Sequence, residues 1–523
     1  MQDSSDVLAG PPVSPAVRGC PYLRSALAVV AIIAIWLLGR GIVFGTLANH
    51  ERMTGQYETH QISWASPDVT LALPPANPTG SLTLVGQATH DQRWTLDCAG
   101  AMHASVDIRA GLFRQLVPIP AGCDSVGVTI HSDWAMVPAN GAGSHDTRSL
   151  SYQLFAVQSG TDVLPLDALV ARSSGLYPVE PLELRSSPQG ILTDRWDAAW
   201  YRNIALRGYR FNGDSAVQQN VAWPFLFPLL VKSVAGVLHI TVPSAMIRLN
   251  AALLLAALLI LFAIGRASGL TRSQSLIAPA WLSFNPFAFF VVGGFSEPLF
   301  LALECLLVLL LLHKKYGLSA LAVALLSATR FVGLIGFAWL AITLWRDASL
   351  SRSGKLWRLA MTGVVSVLGI VTDIVIKGTQ TGYPLAAFMV RKSWQVTPFS
   401  VLKGMLEPSA LFSGDYLLAL WLPALLVVYA MVVLAGTRAR AGTKDVCLLL
   451  GVGLTLVAAT WVLSPEIHAA GRYFLPFAPA IVGLAAYAPL QRRSLALLLV
   501  STAAGGAFMP FIAARIAMGL PPY

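Results

Sequence analysis

Charge is what this sequence has least of. Only 12% of its 523 residues are Asp, Glu, Lys or Arg and 55% are hydrophobic, whereas a soluble chain carries about 25% charged residues. Mean hydropathy is +0.64. No soluble fold of this length hides that much apolar surface in one core, and a disordered chain needs the opposite composition. A water-soluble enzyme is therefore excluded and a polytopic membrane protein is expected. Metal and redox signatures are missing as well. The five cysteines (Cys20, Cys98, Cys123, Cys305, Cys447) form no CxxC pair, so a zinc or redox centre is not expected. No tight acidic cluster signals a strong divalent site. No convincing internal repeat relates one half to the other, which weighs against a transporter built from two similar halves. The net charge of +10 fits basic loops on the cytoplasmic side of a membrane better than a nucleic-acid surface.

Four regions follow from composition. Residues 1–47 read as a cytoplasmic N-terminus and a first transmembrane helix. Its apolar run, 26–38, continues past Gly39-Arg40-Gly41 and is preceded by Arg18 and Arg24. No small-residue cleavage site follows clearly, so a start helix is favoured over a signal peptide. Residues 48–187 are polar and rich in Pro, Gly, Thr and Ser, with alternating stretches such as Ser81-Leu82-Thr83-Leu84-Val85 and Val126-Gly127-Val128-Thr129-Ile130. That pattern predicts short strands of a sandwich or jelly-roll, an extracytoplasmic β-rich insert. Outside the cytoplasm Cys98 and Cys123 can form a disulfide, the alternative being two buried thiols. Residues 188–243 read as outer-face juxtamembrane helices, and 244–523 as a transmembrane bundle. Apolar spans near 244–265, 274–292, 297–312, 318–330, 331–345, 356–376, 416–436, 446–463, 473–489 and 495–512, with the start helix, make about eleven crossings.

Charge orients these spans. If the start helix runs outward and 221–240 lies along the outer leaflet, the basic groups Arg266 and Arg272, Lys314 and Lys315, Arg346, Arg352, Lys355 and Arg358, Arg438, Arg440 and Lys444, and Arg492 and Arg493 all fall inside. The remaining polar residues then gather on the outer face: Asp194 and Asp197, Ser296 and Glu297, Arg330, 377–394 and 466–473. Ionisable groups at membrane depth are costly and mark function. In the segment 194–204, Trp196, Trp200 and Ile204 recur at i, i+4 and i+8, which predicts an interfacial helix with Asp197 beside its apolar stripe, facing a cavity. A helix-terminal charge favoured by the dipole is the plainer reading of Asp194 or Asp197. Arg330 and Arg472 offer paired donors suited to a phosphate, and Glu297 is either a sugar ligand or a salt-bridge partner for Arg330. His468 reads as a loop histidine. Trp94 and Trp134 in the insert are either sugar-stacking or core residues.

Taken in order, these residues resemble a family. Trp196-Asp197 with Tyr201, Ile204-Ala205 and Gly208-Tyr209 is similar to the opening motif of the PIG-V-like mannosyltransferases. The similarity continues through Trp223-Pro224-Phe225-Leu226-Phe227-Pro228, Asn285-Pro286, Phe295-Ser296-Glu297-Pro298-Leu299-Phe300 and Ala328-Thr329-Arg330-Phe331-Val332-Gly333. It ends with Thr381-Gly382-Tyr383-Pro384-Leu385-Ala386 and Arg472-Tyr473-Phe474-Leu475-Pro476. The β-rich insert is not part of the ordinary family pattern.

The resemblance implies a GT-C-class membrane glycosyltransferase. It would move a sugar, typically mannose, from a polyprenyl-phosphate donor to a glycan or lipid acceptor on the non-cytoplasmic face. It also implies that Asp197 lies in the active site. Such chemistry needs a base, a held phosphate and exclusion of water. Asp197 is the expected base, acting with inversion. Arg330 and Arg472 are the expected phosphate clamp, with Arg391 and Lys392 in reserve, and Glu297, Trp196, Tyr201 and Tyr473 complete the substrate-binding set. The scheme requires neither metal nor organic cofactor. The excess of arginine over lysine points to a bacterial inner membrane, with the site on the periplasmic side. The alternative is a transporter or flippase of a lipid-linked sugar, using the same arginines to bind.

Overall fold

The computed structural model describes residues 21–54, 63–72, 80–98, 101–119, 123, 127–137, 149–160, 162–164, 169, 173–178, 188–215, 219–390, 422–437, 444–463, 471–487 and 491–517. Helix α1 (Pro21–Thr54) contains a stretch, Ser25–Asn49, long and apolar enough to cross a membrane.

Among the described residues nine strands follow: β1 (Ser63–Leu71), β2 (Ser81–Ala88), β3 (Gln92–Cys98), β4 (Ala101–Ile108), β5 (Gly111–Pro118), β6 (Val128–Ser132), β7 (Tyr152–Ser159), β8 (Asp162–Leu164) and β9 (Ser174–Pro178). Period-two alternation does what the sequence suggests, since Trp94, Leu96 and Cys98 of β3 point inward with Leu82 and Leu84 of β2 and Tyr152 and Leu154 of β7. The expected two-sheet sandwich is not what forms. All nine strands join in one antiparallel, barrel-like sheet of order β4-β3-β6-β1-β7-β2-β5, with β8 on β7 and β9 on β1. Strand β1 is the reason: it pairs with β6 along 68–71 and with β7 along 63–65, bridging what would have been separate sheets. Cys98 and Cys123 are joined by a disulfide within this core.

The remaining elements are helical: α2 (Pro188–Asp194), α3 (Asp197–Arg207), α4 (Leu226–Leu238), α5 (Val242–Ala267), α6 (Ile277–Ser283), α7 (Glu297–Leu312), α8 (Tyr316–Thr329), α9 (Gly336–Arg346), α10 (Arg352–Thr381), α11 (Leu422–Thr437), α12 (Lys444–Leu463), α13 (Ala478–Ala486) and α14 (Gln491–Ala517), with short turns between. The chain is an integral membrane protein. Among the described residues four helices are long and apolar enough to span: Ser25–Asn49, Val242–Ala267, Arg352–Thr381 and Gln491–Ile516. Others expected to cross are shorter. The run 274–292 breaks into pieces at Asn285-Pro286, because the residue before a proline is pushed out of helical geometry. Leu226–Leu238, which falls in the stretch expected to lie along the outer leaflet, has 13 residues.

Packing gives the bundle two distinct ends. Helix α7 starts at Glu297, and α8 returns the chain to Arg330, which bonds back to Glu297 at 2.7 Å. At the opposite end of this hairpin Asp347, which follows α9, accepts from Tyr316 Oη at 2.7 Å and from Lys314 Nζ at 3.1 Å. Helix α10 then runs back toward Arg330, closely packed on α8. At that crossing a Cβ added to Gly369 would collide with Ala324 O and Ser327 Oγ. Gly369→Val should therefore separate α8 from α10. A loss of about 1–3 kcal/mol is expected for the overpacked crossing, read as a lowered unfolding midpoint in detergent, while Gly363→Ala on the same helix leaves the midpoint near wild type.

Candidate functional site

Four charged side chains meet at the end of the bundle marked by Glu297 and Arg330. Arg472 Nη2 donates to Asp197 Oδ2 at 2.6 Å. Its Nε donates to Glu297 Oε1, and the same oxygen accepts from Arg330 Nη1 at 2.7 Å. The order Asp197–Arg472–Glu297–Arg330 thus links the first residue of α3, the first residue of α7, the residue after α8 and the start of the 3-10 turn Arg472–Phe477. Access divides their roles. The Asp197 side chain is 27% exposed and that of Glu297 4%; the Arg330 side chain is 19% exposed and that of Arg472 6%. Glu297 and Arg472 form the inner pair, Asp197 and Arg330 the reachable one.

Aromatic rings wall the cluster. Arg472 lies over Phe290 and Phe295 at 5.0 and 5.1 Å, and Arg330 over Tyr473 at 5.2 Å. These contacts compensate part of the lost hydration of the guanidinium groups. Tyr201 is buried and shares a 2.8 Å hydrogen bond with Ser296 Oγ. Burial, with Asp197 nearby, pushes its phenol above the ordinary range, so it stays a neutral hydroxyl. The sequence-derived stripe needs correction here. Trp196 caps α3 from outside the helix, and Ile204 is buried with Ala198, Tyr201 and Ala205. The apolar face of α3 therefore packs into the protein core rather than against lipid headgroups. The reason is that Ala198, Tyr201 and Ala205, on the side of the helix away from the tryptophans, form the closer-packing stripe.

Arg391 and Lys392 lie outside the described residues, as does His468. Trp94 is fully buried against Phe113 and Tyr152, a core residue, and Trp134 is partly buried with His90 stacked on it at 4.3 Å. No group of three or more metal-ligating side chains occurs among the described residues.

Two positioning features escaped the sequence reading. Arg202 pairs with Asp194 at 2.5 Å, tying α3 to α2. Asp373 and Lys377, one turn apart on α10, form a fully buried 2.5 Å pair. Asp373 Oδ1 also accepts from Phe225 N at 3.1 Å, and Gln380 Oε1 accepts from Tyr209 N at 2.8 Å. Lys377 Nζ lies 5.4 Å from the Phe331 ring, next to Arg330. An i, i+4 Asp/Lys pair inside an apolar run was the available signal, because one charge there would be intolerable and two can neutralise each other. Lys377→Met should cost about 3–5 kcal/mol by stranding a buried carboxylate, and adding Asp373→Asn should recover most of it, as read by unfolding in detergent.

The comparisons with known proteins bear on this same stretch. A family model described as Mannosyltransferase (PIG-V) matches residues 179–378. Among solved structures, the single-particle cryo-EM structure of the arabinofuranosyltransferase AftD from mycobacteria aligns with a TM-score of 0.34 and 18% identity, over 58% of this chain and 22% of that one. The chain thus spans about a fifth of that structure's length. No curated protein matches significantly. Asp197, Glu297 and Arg330 all fall inside the stretch that is similar to the PIG-V mannosyltransferase model, whereas Arg472 lies beyond it.

Proposed function

We propose that this protein is a GT-C-type membrane glycosyltransferase that moves a sugar, mannose by the family match, from a polyprenyl-phosphate donor to a glycan or lipid acceptor, with inversion. The observation that carries the reading is the Asp197–Arg472–Glu297–Arg330 cluster at one rim of the bundle. Arg330, the reachable guanidinium, meets the phosphate of the donor. Arg472, held inside, shares the developing charge of the leaving phosphate and aims Asp197. Asp197 takes the proton of the acceptor hydroxyl as that oxygen attacks the anomeric carbon from the face opposite the phosphate. Glu297 has one oxygen committed to both arginines, so its role is to fix them. The polar rim faces the non-cytoplasmic side, periplasmic in a bacterial inner membrane. This reading is supported by the basic residues at the opposite end of the same helices, Lys314, Lys315, Arg352 and Lys355. The bundle 244–523, the outer segment 188–243 and the first helix then form the transferase, with 48–187 as an added outer domain.

The purified protein in nanodiscs, given labelled polyprenyl-phosphate mannose and candidate acceptors, tests this directly. Asp197→Asn should lower turnover about 10²–10⁴-fold, the range of a lost general base, with a lowered unfolding midpoint because Glu297 alone is then left to pair with both arginines. Undiminished turnover in Asp197→Asn removes that residue from the base role. Binding without turnover by the wild type, together with movement of the carrier between leaflets, would establish the flippase instead.

A further inference from the structure

The most demanding backbone beside the cluster belongs to Trp196, with φ 46° and ψ −125°. Glycine adopts that conformation freely and a bulky L-residue does not. His239 also has positive φ, but at φ 51° and ψ 43° it sits in the ordinary left-handed well that closes a helix. At Trp196 no such explanation applies. A glycine would relieve the strain, yet the chain carries its largest side chain there. Strained residues persist where the surrounding structure over-determines them, and they cluster at working sites.

What the strain achieves is the direction of the indole. Its ring lies nearly parallel (22°) to that of Phe290, with centroids 6.0 Å apart, and Phe290 carries the Arg472 guanidinium 5.0 Å from its own centroid. The side chain nevertheless remains 39% exposed. Trp196 is thus a partly open aromatic surface in the wall of the charged cluster, adjoining Asp197 in the chain. A pyranose offers a face of C–H groups that packs on such a surface, and a sugar esterified to a phosphate on Arg330 has its ring a few bonds from that anchor.

We propose that Trp196 is the platform for the donor's sugar ring, turned into the site by its strained backbone, and that it recognises the sugar and not the lipid. This rests on the glycosyltransferase reading above. A membrane-interface anchor would bind lipid without regard to the sugar, and that difference is measurable.

Three variants of the full chain in nanodiscs separate the possibilities, each titrated with polyprenyl-phosphate mannose and with bare polyprenyl phosphate. Trp196→Phe keeps a ring and the strain; Trp196→Leu keeps the strain and apolar bulk without a ring; Trp196→Gly removes both. The platform predicts that Gly and Leu lose roughly tenfold in affinity for the mannosyl carrier, the size of one aromatic stacking contact. Affinity for the bare carrier should be unchanged, and Phe should stay within a few-fold of wild type. Gly should melt no lower than wild type, since the strain is gone. Should Gly fail to fold, the Leu and Phe titrations still decide. Wild-type affinity for both carriers in Leu, or an equal loss on both, overturns the platform. Absence of turnover by the wild type, with the mannosyl-selective loss still present in Leu, would overturn the transferase reading and leave the platform standing.

Discussion

One oxygen of Glu297 accepts hydrogen bonds from two guanidinium groups, and the second of these, Arg472, holds Asp197. Two carboxylates and two guanidiniums make a neutral set. Each alone would be prohibitive to bury at the edge of a bilayer, and removing one partner strands the others. The segments that carry them, near 197, 297, 330 and 472, have no stretch of chain in common. By converging, each finds a partner of opposite charge.

The helices lessen that cost. Asp197 and Glu297 are the first residues of α3 and α7, where the partial positive charge of a helix N-terminus favours a carboxylate. Arg330 directly follows the last residue of α8, where the partial negative charge favours a cation. Arg472 is the exception, a cation at the start of a 3-10 turn. It is the member with two carboxylate partners and rings on several sides. Where the backbone dipole does not help, side chains compensate.

This logic also explains what could be read from sequence. Composition reveals the membrane class, since burial of so much apolar surface has no other solution. Alternation in 81–85 and 126–130 yields the strands, but not that β1 would pair on two sides and join them into one sheet, because strand pairing depends on contacts distant in sequence. Asp197, Glu297, Arg330 and Arg472 stood out as polar residues in apolar surroundings, and motif order grouped them. The sharing of one Glu297 oxygen could not be read, because it depends on how α7, α8 and the turn at 472 pack. The stripe of α3 was misread for a related reason: periodicity shows which residues share a face but not whether lipid or protein covers it. Asp373 was passed over, and Lys377 was counted in the outer-face stretch 377–394 rather than paired with it, because their spacing alone does not show that both are buried.

A cluster already neutral binds an added phosphate only if it has donors to spare. Of its five N–H groups a guanidinium needs one or two for each carboxylate. Arg472 divides its own between Asp197 and Glu297, whereas Arg330 spends only Nη1 on Glu297 among the described residues. The more exposed arginine is thus also the less committed one, and a phosphate can be received there without first breaking the Arg472–Asp197 bond. In the proposed reaction, drawing positive charge toward that phosphate would weaken the hold of the inner arginine on Asp197, so the proposed base would be freed when its reaction partner is in place. On that proposal, strong ground-state pairing and catalysis are compatible because the two arginines are not equivalent.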